Sequence, residues 1–384
     1  MKAEEFTDNA TGRLVPIVEE GVELTAFVPD PIPRTLKLSS PIMKLAERAG
    51  LRLGRLFGAG EILNPMLQLF LAREAIASNA MEGTITTARQ LYLFDRDEGG
   101  ADDGEMRSER REVANYIKAM NLGINLLAER PLSLNLINAL HAKLLENVRG
   151  QNKMPGQIRR RQNAISKSRF AAARYIPPPP AEVIPAVGDI ESFIHEDSDL
   201  PNSVRAALVH YQFEAVHPYL DGNGRLGRLL IPLLLSSWEM LPSGTPRLYL
   251  SKYFEQHDEE YRDKLLRVSQ NGEWNSWIEF YLTAIVEESE KTWSKAEELI
   301  RLRERFIDRI KSGAGNLLEV VRRLFDYPVL THKDIAGLTG LSRQQAGNYA
   351  SKLVEVGILT PDKTEWRHYY YADEIFRVFF EESE

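Results

Sequence analysis

One short segment of the chain concentrates side chains that can do chemistry. Residues 217–228, HPYLDGNGRLGR, contain an imidazole, a carboxylate, a Gly-Asn-Gly turn and two arginines. A glycine turn that opens onto a helix presents free backbone N–H groups and the positive end of the helix dipole, which together bind anions. Arg225 and Arg228 are three residues apart, so their guanidinium groups lie on one side of that helix and suit phosphate oxygens. The segment therefore predicts a cradle for a nucleotide polyphosphate.

His217 and Asp221 add reactivity to this cradle. An imidazole beside a phosphate can act as a general base near neutral pH. A carboxylate at the mouth would repel a bare phosphate, so Asp221 makes most sense if Mg²⁺ bridges it to phosphate oxygens. Each feature alone is usually an ordinary helix end or turn, and only their combination within one short window favours a ligand site.

The elements on either side of the segment are predicted to be helices. The stretch NSVRAALVHYQFEAVH places four apolar residues on one helical face: Val204, Leu208, Tyr211 and Ala215. Pro218 disfavours the α conformation for the residue before it, so this helix ends at His217. The stretch RLGRLLIPLLLSSWEML is apolar enough to cross the core as a second helix, with its N-terminus at the glycine turn.

Composition limits the remaining possibilities. The 384 residues are enough for two or three domains, and the absence of cysteine excludes disulfides, thiolate zinc sites and cysteine nucleophiles. The N-terminus lacks a signal-type apolar run, and no uncharged stretch approaches the roughly 20 residues that span a bilayer. We expect a cytoplasmic protein without a membrane partner. The net charge of -7 argues against broad electrostatic capture of nucleic acid.

The segment 217–228 resembles the signature of the Fic family, His-Pro-Phe-x-Asp-Gly-Asn-Gly-Arg-x-x-Arg, with Tyr219 in place of phenylalanine. The stretches PGQIRRRQNAI and YIPPPP resemble the family's flap, and LYLSKYFEQHDEEYRDKLLRV resembles the helices that follow its core. The resemblance covers most of the chain up to about Glu290. It implies a mainly α fold, with a Fic-type helical core and a small β-hairpin flap. It also implies transfer of AMP from ATP to a hydroxyl side chain of a target protein.

The resemblance assigns a role to each matching position. His217 would deprotonate a Ser, Thr or Tyr hydroxyl of the target, and Asp221 would hold Mg²⁺. Contacts to the nucleotide, or at the flap to the target peptide, would come from Asn163, Ala164, Ile165, Gly222, Asn223, Gly224, Arg225, Leu226, Gly227 and Arg228. Tyr253 and Tyr261 could contact the adenine ring, although aromatic residues at such spacing are more often part of a core.

A second segment, SNAMEG, spans residues 78–83 at the end of a predicted helix that Gly83 would cap. Glu82 would then lie at the negative end of the helix dipole, which is unfavourable unless a cation is near. The segment resembles the family's inhibitory motif, Ser/Thr-x-x-x-Glu-Gly/Asn, which begins here with Ser78. The resemblance implies that Glu82 pairs with Arg228 and keeps the enzyme off. In relatives with this layout the same glutamate can orient a water that removes AMP.

The C-terminal stretch LTHKDIAGLTGLSRQQAGNYASKLVEVGILTPDKTEWRHYYY resembles a winged helix-turn-helix. If the unit binds DNA, the residues facing the major groove would be Arg343, Gln344, Gln345 and Asn348. A protein-docking role is the other interpretation. We expect four regions: a helical region at 1–112 with an inhibitory helix at about 66–83; a catalytic core at 113–290 with a flap at about 155–180; a linker helix at 291–316; and the winged unit at 317–384.

Two classes of function stay open at this point. The first is an auto-inhibited AMP transferase, whose donor could be ATP or another nucleotide such as UTP. The second is a nucleotide-sensing, DNA-binding regulator that uses the same pocket as a ligand site. A homodimer is a further expectation, because Fic relatives often pair.

Overall fold

A computed structural model describes residues 1–19, 21–94, 104–165, 173–238, 246–310, 315–362 and 369–381. Most of these residues are helical, which confirms the mainly α fold class. Within the described residues, no helix combines the length and apolarity needed to cross a bilayer.

The chain begins with a β-hairpin that the sequence analysis did not predict. Strands β1 (Gly12–Glu19) and β2 (Val22–Pro29) pair antiparallel. Gly21, with φ of 78°, lies in the turn between them, where a side chain would be strained. Only residues 22–25 at the start of β2 alternate apolar and polar side chains, whereas β1 contains the apolar run 14–18, so the period-2 signal of the hairpin is short. Residues 12–19 and 22–29 of the expected helical region at 1–112 therefore form strands.

The body of the molecule is built from helices in chain order. The first group comprises α1 (Ser40–Gly58), α2 (Gly60–Leu63), α3 (Leu67–Ala80), α4 (Ala88–Phe94), α5 (Gly104–Leu127) and α6 (Leu134–Leu144). The second group comprises α7 (Pro180–His195), α8 (Asn202–Val216), α9 (Asn223–Trp238), α10 (Ser251–Gln256), α11 (Asp258–Asn271) and α12 (Trp274–Ile310). Helix α12 runs without a break through the expected core-to-linker boundary at residue 290, so the linker is not a separate helix.

Helices α8 and α9 form the centre of the fold. Nearly every residue of both is buried, as expected for helices that are apolar on all sides. The last turn of α7 and helices α11 and α12 pack around α8, while α3, α5 and α6 pack around α9. Trp277 of α12 donates its indole N–H to the carbonyl of Ala207 in α8, at 2.9 Å. The segment between α8 and α9 is thus held between two fixed helix ends.

A buried carboxylate sets the rotation of α3. Glu74 accepts the hydroxyl of Tyr116 in α5 at 2.8 Å, and it accepts both the hydroxyl and the backbone N–H of Ser251 at 2.6 and 3.0 Å. Because residues four apart share a helix face, the same rotation turns Ser78 toward α9 and places Glu82 just beyond it. The sequence periodicity alone could not specify this rotation, since α3 is apolar on most sides.

The C-terminal unit contains α13 (Gly315–Leu324), β3 (Val329–Leu330), α14 (His332–Thr339), α15 (Arg343–Glu355), β4 (Thr360–Pro361), β5 (Tyr370–Tyr371) and α16 (Asp373–Phe380). The strands form an antiparallel sheet in the order β3-β5-β4. The winged helix-turn-helix stays a prediction for this unit, and residues 363–368 lie outside the described residues.

Side chains at the start of α15 are exposed. Gln345 is exposed and also accepts the backbone N–H of Ser342 at 3.0 Å in a capping box. Arg343, Gln344 and Asn348 are exposed.

The C-terminal unit packs on the helices that flank the SNAMEG segment. Phe379 meets Phe70 of α3 edge to face, with ring centroids 4.8 Å apart. Asp373 accepts a hydrogen bond from Arg89 of α4 at 2.7 Å. Tyr327 donates its hydroxyl to the carbonyl of Tyr92 at 3.1 Å. Both helices that flank the SNAMEG segment, α3 and α4, are therefore in contact with the C-terminal unit.

We predict that this contact contributes to stability. Phe379→Ala should lower the free energy of unfolding by about 3–5 kcal/mol, because it removes a buried ring. In a double-mutant cycle with Phe70→Ala, urea denaturation should show a coupling of about 0.5–1.5 kcal/mol, as for other edge-to-face pairs. Phe193 of α7 is the control, because its substitution should add to Phe379→Ala within about 0.5 kcal/mol. If Phe70→Ala added to Phe379→Ala as fully as the Phe193 substitution does, the assigned contact between Phe379 and Phe70 would be contradicted.

Candidate active site

His217 caps the C-terminus of α8 in a left-handed conformation, with φ of 50° and ψ of 61°. Its backbone N–H donates to the carbonyl of Phe213 at 3.0 Å, and Pro218 follows at once. The prediction that the helix ends at the histidine is confirmed. His217 is half-buried, and its ring contacts the carbonyl of Glu214 in α8.

The side chain of Asn223 organises this segment. Its Oδ1 accepts the backbone N–H of Tyr219 at 2.8 Å, and its Nδ2 donates to the Tyr219 carbonyl at 2.7 Å. Asn223 is buried by these contacts, so its amide shapes the turn, and its contact with phosphate stays a prediction. The ring of Tyr219 is also buried, and its hydroxyl donates to Asn138 at 2.7 Å. The tyrosine that replaces the family's phenylalanine therefore has a partner for its extra oxygen.

His141 of α6 contacts the turn between α8 and α9, and the sequence analysis did not single it out. Its Nδ1 accepts the backbone N–H of Gly156 at 2.7 Å, so Nε2 carries the proton and donates to the carbonyl of Asp221 at 2.8 Å. The ring stacks on Tyr219 with centroids 3.8 Å apart. Burial lowers the pKa of His141 to about 4, which keeps it neutral. A lone histidine in the apolar helix INALHAKLL gives no sequence signal of this role.

Glu82 lies at the N-terminus of α9. A Cβ at Gly224 would stand 2.4 Å from its Oε1, so the carboxylate rests against Gly224, and a larger residue there would push the Glu82 side chain aside. Arg228 donates to the same oxygen at 2.8 Å. Burial alone would raise the pKa of Glu82, but the charge and hydrogen bond of Arg228 outweigh it and the pKa lies below its usual value.

Ser78 holds the other side of the Arg228 guanidinium. Its hydroxyl accepts from Nε at 2.9 Å and its carbonyl accepts from Nη2 at 2.8 Å. Gly83 follows Glu82 with φ of 85°, which lets the chain turn away from the helix end. The structure therefore brings the SNAMEG segment onto the second arginine of the 217–228 segment.

Arg225 is paired with a carboxylate that the sequence analysis did not single out. The guanidinium is buried and donates to Glu112 at 3.0 Å, while Asp221 lies 3.6 Å away. Glu112 also accepts the hydroxyl of Thr84 at 2.8 Å. Its sequence neighbours, RSERREVANY, read as an ordinary charged helix, so only the fold reveals this contact.

Asp221 is the partly exposed carboxylate of the site. A Cβ at Gly150 would lie 2.6 Å from its Oδ2, and Gly150 has φ of 90°, so the loop after α6 closes against it. Among the described residues, no group of three His, Asp or Glu side chains could hold a metal ion by themselves. A cation here would need oxygens from a ligand as well.

The flap begins and ends beside the histidine. Ile165 donates its N–H to the carbonyl of Tyr175 at 3.0 Å in a single antiparallel bridge. Asn163 donates its amide to the carbonyl of Tyr219 at 2.9 Å, and Ala164 lies half-buried between the two. Residues 166–172, the centre of the expected hairpin, lie outside the described residues.

Arg159 is a second residue that sequence reasoning missed. Its side chain is fully buried and donates to the carbonyl of His217 at 2.9 Å and to that of Pro178 at 2.6 Å. It stands in the basic run IRRRQN, where nothing distinguishes it from its exposed neighbours.

Four expected nucleotide contacts lie elsewhere. The side chain of Leu226 is buried in the core, because it projects from the opposite side of α9. A Cβ at Gly227 would meet Glu214 at 2.3 Å, so this glycine allows α8 and α9 to pack closely. Tyr261 is buried and bonds His210 at 2.8 Å, and Tyr253 stacks on His257 with centroids 4.2 Å apart. Both tyrosines belong to an aromatic core.

The state of His217 follows from its surroundings. Burial, together with the positive charge of Arg159, lowers its pKa to about 4, while the charge of Glu82 opposes this shift. Its Nδ1 lies 3.3 Å from the carbonyl of Glu214, which places the proton on Nδ1 and leaves Nε2 free to accept. The carboxyl of Glu214 is itself buried, and burial raises its pKa to about 7.

The chain matches models of known families in two regions. Residues 131–235 match the Fic/DOC family, and residues 43–125 match the Fic/DOC family N-terminal region. The first match includes the flap and the 217–228 segment, and the second includes the SNAMEG segment.

Curated relatives share part of this sequence. The chain is 27% identical over 183 residues to Protein adenylyltransferase Fic of Drosophila willistoni, covering 47% of this chain and 33% of that one. It is 26% identical over 244 residues to Protein adenylyltransferase fic-1 of Caenorhabditis briggsae, covering 62% of this chain and 42% of the relative. The chain thus spans less than half the length of these relatives.

Solved structures share the fold. A Fic family protein from Desulfovibrio desulfuricans superimposes with a TM-score of 0.59 at 19% identity, covering 89% of this chain and 98% of that one. Fic-1 from Caenorhabditis elegans superimposes with a TM-score of 0.52 at 21% identity, covering 67% and 74%. The two family matches identify Fic/DOC family regions in the chain, and the solved structures show that it shares the fold of Fic family proteins.

Proposed function

We propose that the protein transfers AMP from ATP to a hydroxyl side chain of a target protein, and that Glu82 holds this activity off. One observation carries the proposal. The carboxylate of Glu82 rests on Gly224 at the N-terminus of α9 and bonds Arg228, within the same site as His217. A negative group therefore occupies a helix N-terminus, which is a site suited to phosphate. The names of the curated relatives support the choice of AMP transfer.

The proposed reaction is an in-line displacement at the α-phosphorus of ATP. The hydroxyl oxygen of the target forms a bond to this phosphorus as the bond to the β-phosphate oxygen breaks, and pyrophosphate leaves. Nε2 of His217 takes the hydroxyl proton, because Nδ1 is engaged with the Glu214 carbonyl. The protein contributes mainly position and charge in such transfers.

The groups that would neutralise the phosphates come from the start of α9. Backbone N–H groups of the Gly222 and Gly224 turn point out of the helix end, where the positive dipole adds to them. Arg225 is buried beside them, and its Nε–H has no acceptor among the described residues. A buried donor without a partner is costly, so a ligand oxygen at this position would stabilise the site.

The donor set at the mouth of the cradle fits Mg²⁺. This ion is usually held by one or two carboxylates together with substrate phosphates, and Asp221 offers one partly exposed carboxylate. We infer that Asp221 would hold the ion. When bound, Mg²⁺ would neutralise charge on the phosphates and on the departing pyrophosphate.

The inhibition follows from competition for one space. A phosphate oxygen cannot enter where Glu82 Oε1 stands against Gly224, and Arg228 cannot turn to a phosphate while it bonds Ser78 and Glu82. Two negative groups in this space would also repel each other. ATP could then bind only in an arrangement that leaves its α-phosphate away from His217.

Glu82 could also support removal of AMP from a modified target. Its pKa is lowered and its side chain is partly exposed, so the ionised carboxylate could orient a water molecule for attack. This removal and the inhibition would then depend on the same side chain.

A second function is favoured by the C-terminal unit. The exposed Arg343, Gln344 and Asn348 of α15 stand where a winged helix-turn-helix contacts DNA, and the nucleotide site could then act as a sensor for a regulator. Incubation with α-labelled ATP, Mg²⁺ and a cell extract as a source of acceptors separates the two functions. Label on protein supports transfer, whereas nucleotide binding without label supports the sensor.

We predict that Glu82→Gly raises the rate of label transfer at least about tenfold, because Arg228 becomes free to hold phosphate; such a factor corresponds to about 1.4 kcal/mol. Adding His217→Ala should abolish transfer in this background. Glu129→Gly, in an exposed turn after α5, is the control and should leave the rate unchanged. A Glu82→Gly protein that binds ATP and transfers nothing would contradict the proposal.

The pH dependence of the Glu82→Gly form provides a separate test. A base acts in its neutral form, and the pKa of His217 is lowered to about 4, so protonation removes activity only as the pH falls toward that value. Glu82 carries a negative charge that raises the pKa of His217. Without that charge, the pKa of His217 in the Glu82→Gly form still lies below its ordinary value. We predict a flat transfer rate between roughly pH 6 and 8 at saturating ATP. An acidic limb centred near 6.5, the ordinary value for imidazole, would contradict the assigned environment.

A further inference from the structure

Arg159 is a buried cation that no described carboxylate accompanies. Its side chain is 1% exposed, and its hydrogen bonds go only to backbone carbonyls. Burying a charge without a counter-ion is costly, and burial lowers the pKa of Arg159 to about 10. Such an arrangement persists only when the contacts it makes compensate for that cost.

The carbonyls that Arg159 contacts fall into two sets. One set belongs to the end of α8: the guanidinium donates to His217 at 2.9 Å and to Val216 at 3.3 Å. The other set belongs to the two arms of the flap: it donates to Arg161 at 3.3 Å and to Pro178 at 2.6 Å. One side chain therefore ties the general base to both ends of the flap.

The location explains how the charge is tolerated. The carbonyls at the end of α8 carry the negative end of its dipole, which stabilises a cation placed there. The backbone N–H of Arg159 adds a further bond to the carbonyl of Pro218 at 2.9 Å. His217 adopts a left-handed conformation that a residue other than glycine rarely holds without support. The fork of Arg159 and the amide of Asn163 supply that support at the His217 carbonyl.

We propose that Arg159 is a positioning residue, which fixes the His217 backbone and couples it to the flap. The base and the flap, which would bind the target peptide, then move as one unit. This inference rests on the proposed transfer function. A lysine could keep the charge, but it could not reach both sets of carbonyls as a planar fork does. The hydrogen-bonding geometry of the guanidinium, and not only its charge, is thus the feature that matters.

A second buried arginine offers a matched control. Arg205 lies at the opposite end of α8 and likewise donates to backbone carbonyls, those of Phe193 at 3.0 Å, Ile194 at 3.2 Å and Glu196 at 2.9 Å. It contacts neither His217 nor the flap in the described residues. Replacing it should disturb packing to a similar degree without touching the site.

The first arm of the experiment measures catalysis in full-length Glu82→Gly protein. We compare Arg159→Lys, Arg159→Met and Arg205→Met for label transfer from α-labelled ATP to extract protein, at a temperature where melting curves show each variant folded. Both Arg159 variants should lower kcat about 10- to 100-fold, as small misplacements of catalytic groups do, with KM for ATP within about twofold. Arg205→Met should keep both parameters.

The second arm does not depend on activity. Ring signals of histidine-labelled protein are followed by NMR against pH, with His217→Ala identifying the signal. The charges facing His217 are Arg159, which lowers its pKa, and Glu82, which raises it; Glu214 touches it through its carbonyl. Arg159→Met should raise the midpoint by about one pH unit. Arg159→Lys should raise it less, and Arg205→Met should leave it unchanged.

The outcomes are distinct. Loss of kcat in both Arg159 variants but not in Arg205→Met, with the midpoint shift confined to Arg159, supports the positioning role. Equal losses in the Arg159 and Arg205 variants, or a full rate in Arg159→Lys, overturns it. If Glu82→Gly itself transfers no label, the proposed function fails. The NMR arm, joined with hydrogen exchange of residues 173–178, still decides whether Arg159 ties the histidine to the flap.

Discussion

The site depends on one buried cation, Arg228, and on what satisfies it. Among the described residues, its three acceptors belong to the SNAMEG segment: the hydroxyl and carbonyl of Ser78 and the carboxylate of Glu82. A guanidinium in this position cannot be left unpaired without a large cost, so some partner must always be present. The closed arrangement supplies a carboxylate, and the proposed active one would supply a phosphate. The same charge would thus account for both the proposed inhibition and the proposed binding of substrate.

The surrounding fold holds the SNAMEG segment in place. Glu74 fixes the rotation of α3, so that Ser78 faces Arg228. The C-terminal unit packs on both sides of the segment, through Phe379 on α3 and Asp373 on α4. On the other side of α9, His141 and Asn223 shape the turn that presents the backbone N–H groups. Ser78 and Asn79 of the SNAMEG segment are consequently buried in the core, while the side chain of Glu82 stays partly exposed.

The sequence predicted the reactive groups of this site better than it predicted the residues that hold them in place. Pro218 fixed the end of α8 because its effect on the preceding residue is local, and the glycine turn marked the start of α9 for the same reason. Glu112, His141 and Arg159 were missed because their partners are distant in sequence and their own surroundings look like ordinary helix or loop. No local rule reports such contacts before the fold is known.

Two other differences have simple physical reasons. Leu226 and Gly227 lie within the motif, but the helical period turns them toward the core while Arg225 and Arg228 face the site. The prediction that all residues from 222 to 228 contact the nucleotide therefore included two that face the core. The hairpin at residues 12–29 was overlooked because its alternation is short and the helical patterns that follow it are long.

The most direct test of the central claim is a crystal structure of the Glu82→Gly protein with Mg²⁺ and a non-hydrolysable ATP analogue. The account predicts a phosphate oxygen in the space over Gly224 that the Glu82 carboxylate now fills, with Arg228 turned to the phosphates and the α-phosphorus facing Nε2 of His217. A nucleotide bound away from the turn, or an empty turn with Arg228 still bonded only to Ser78, would contradict it.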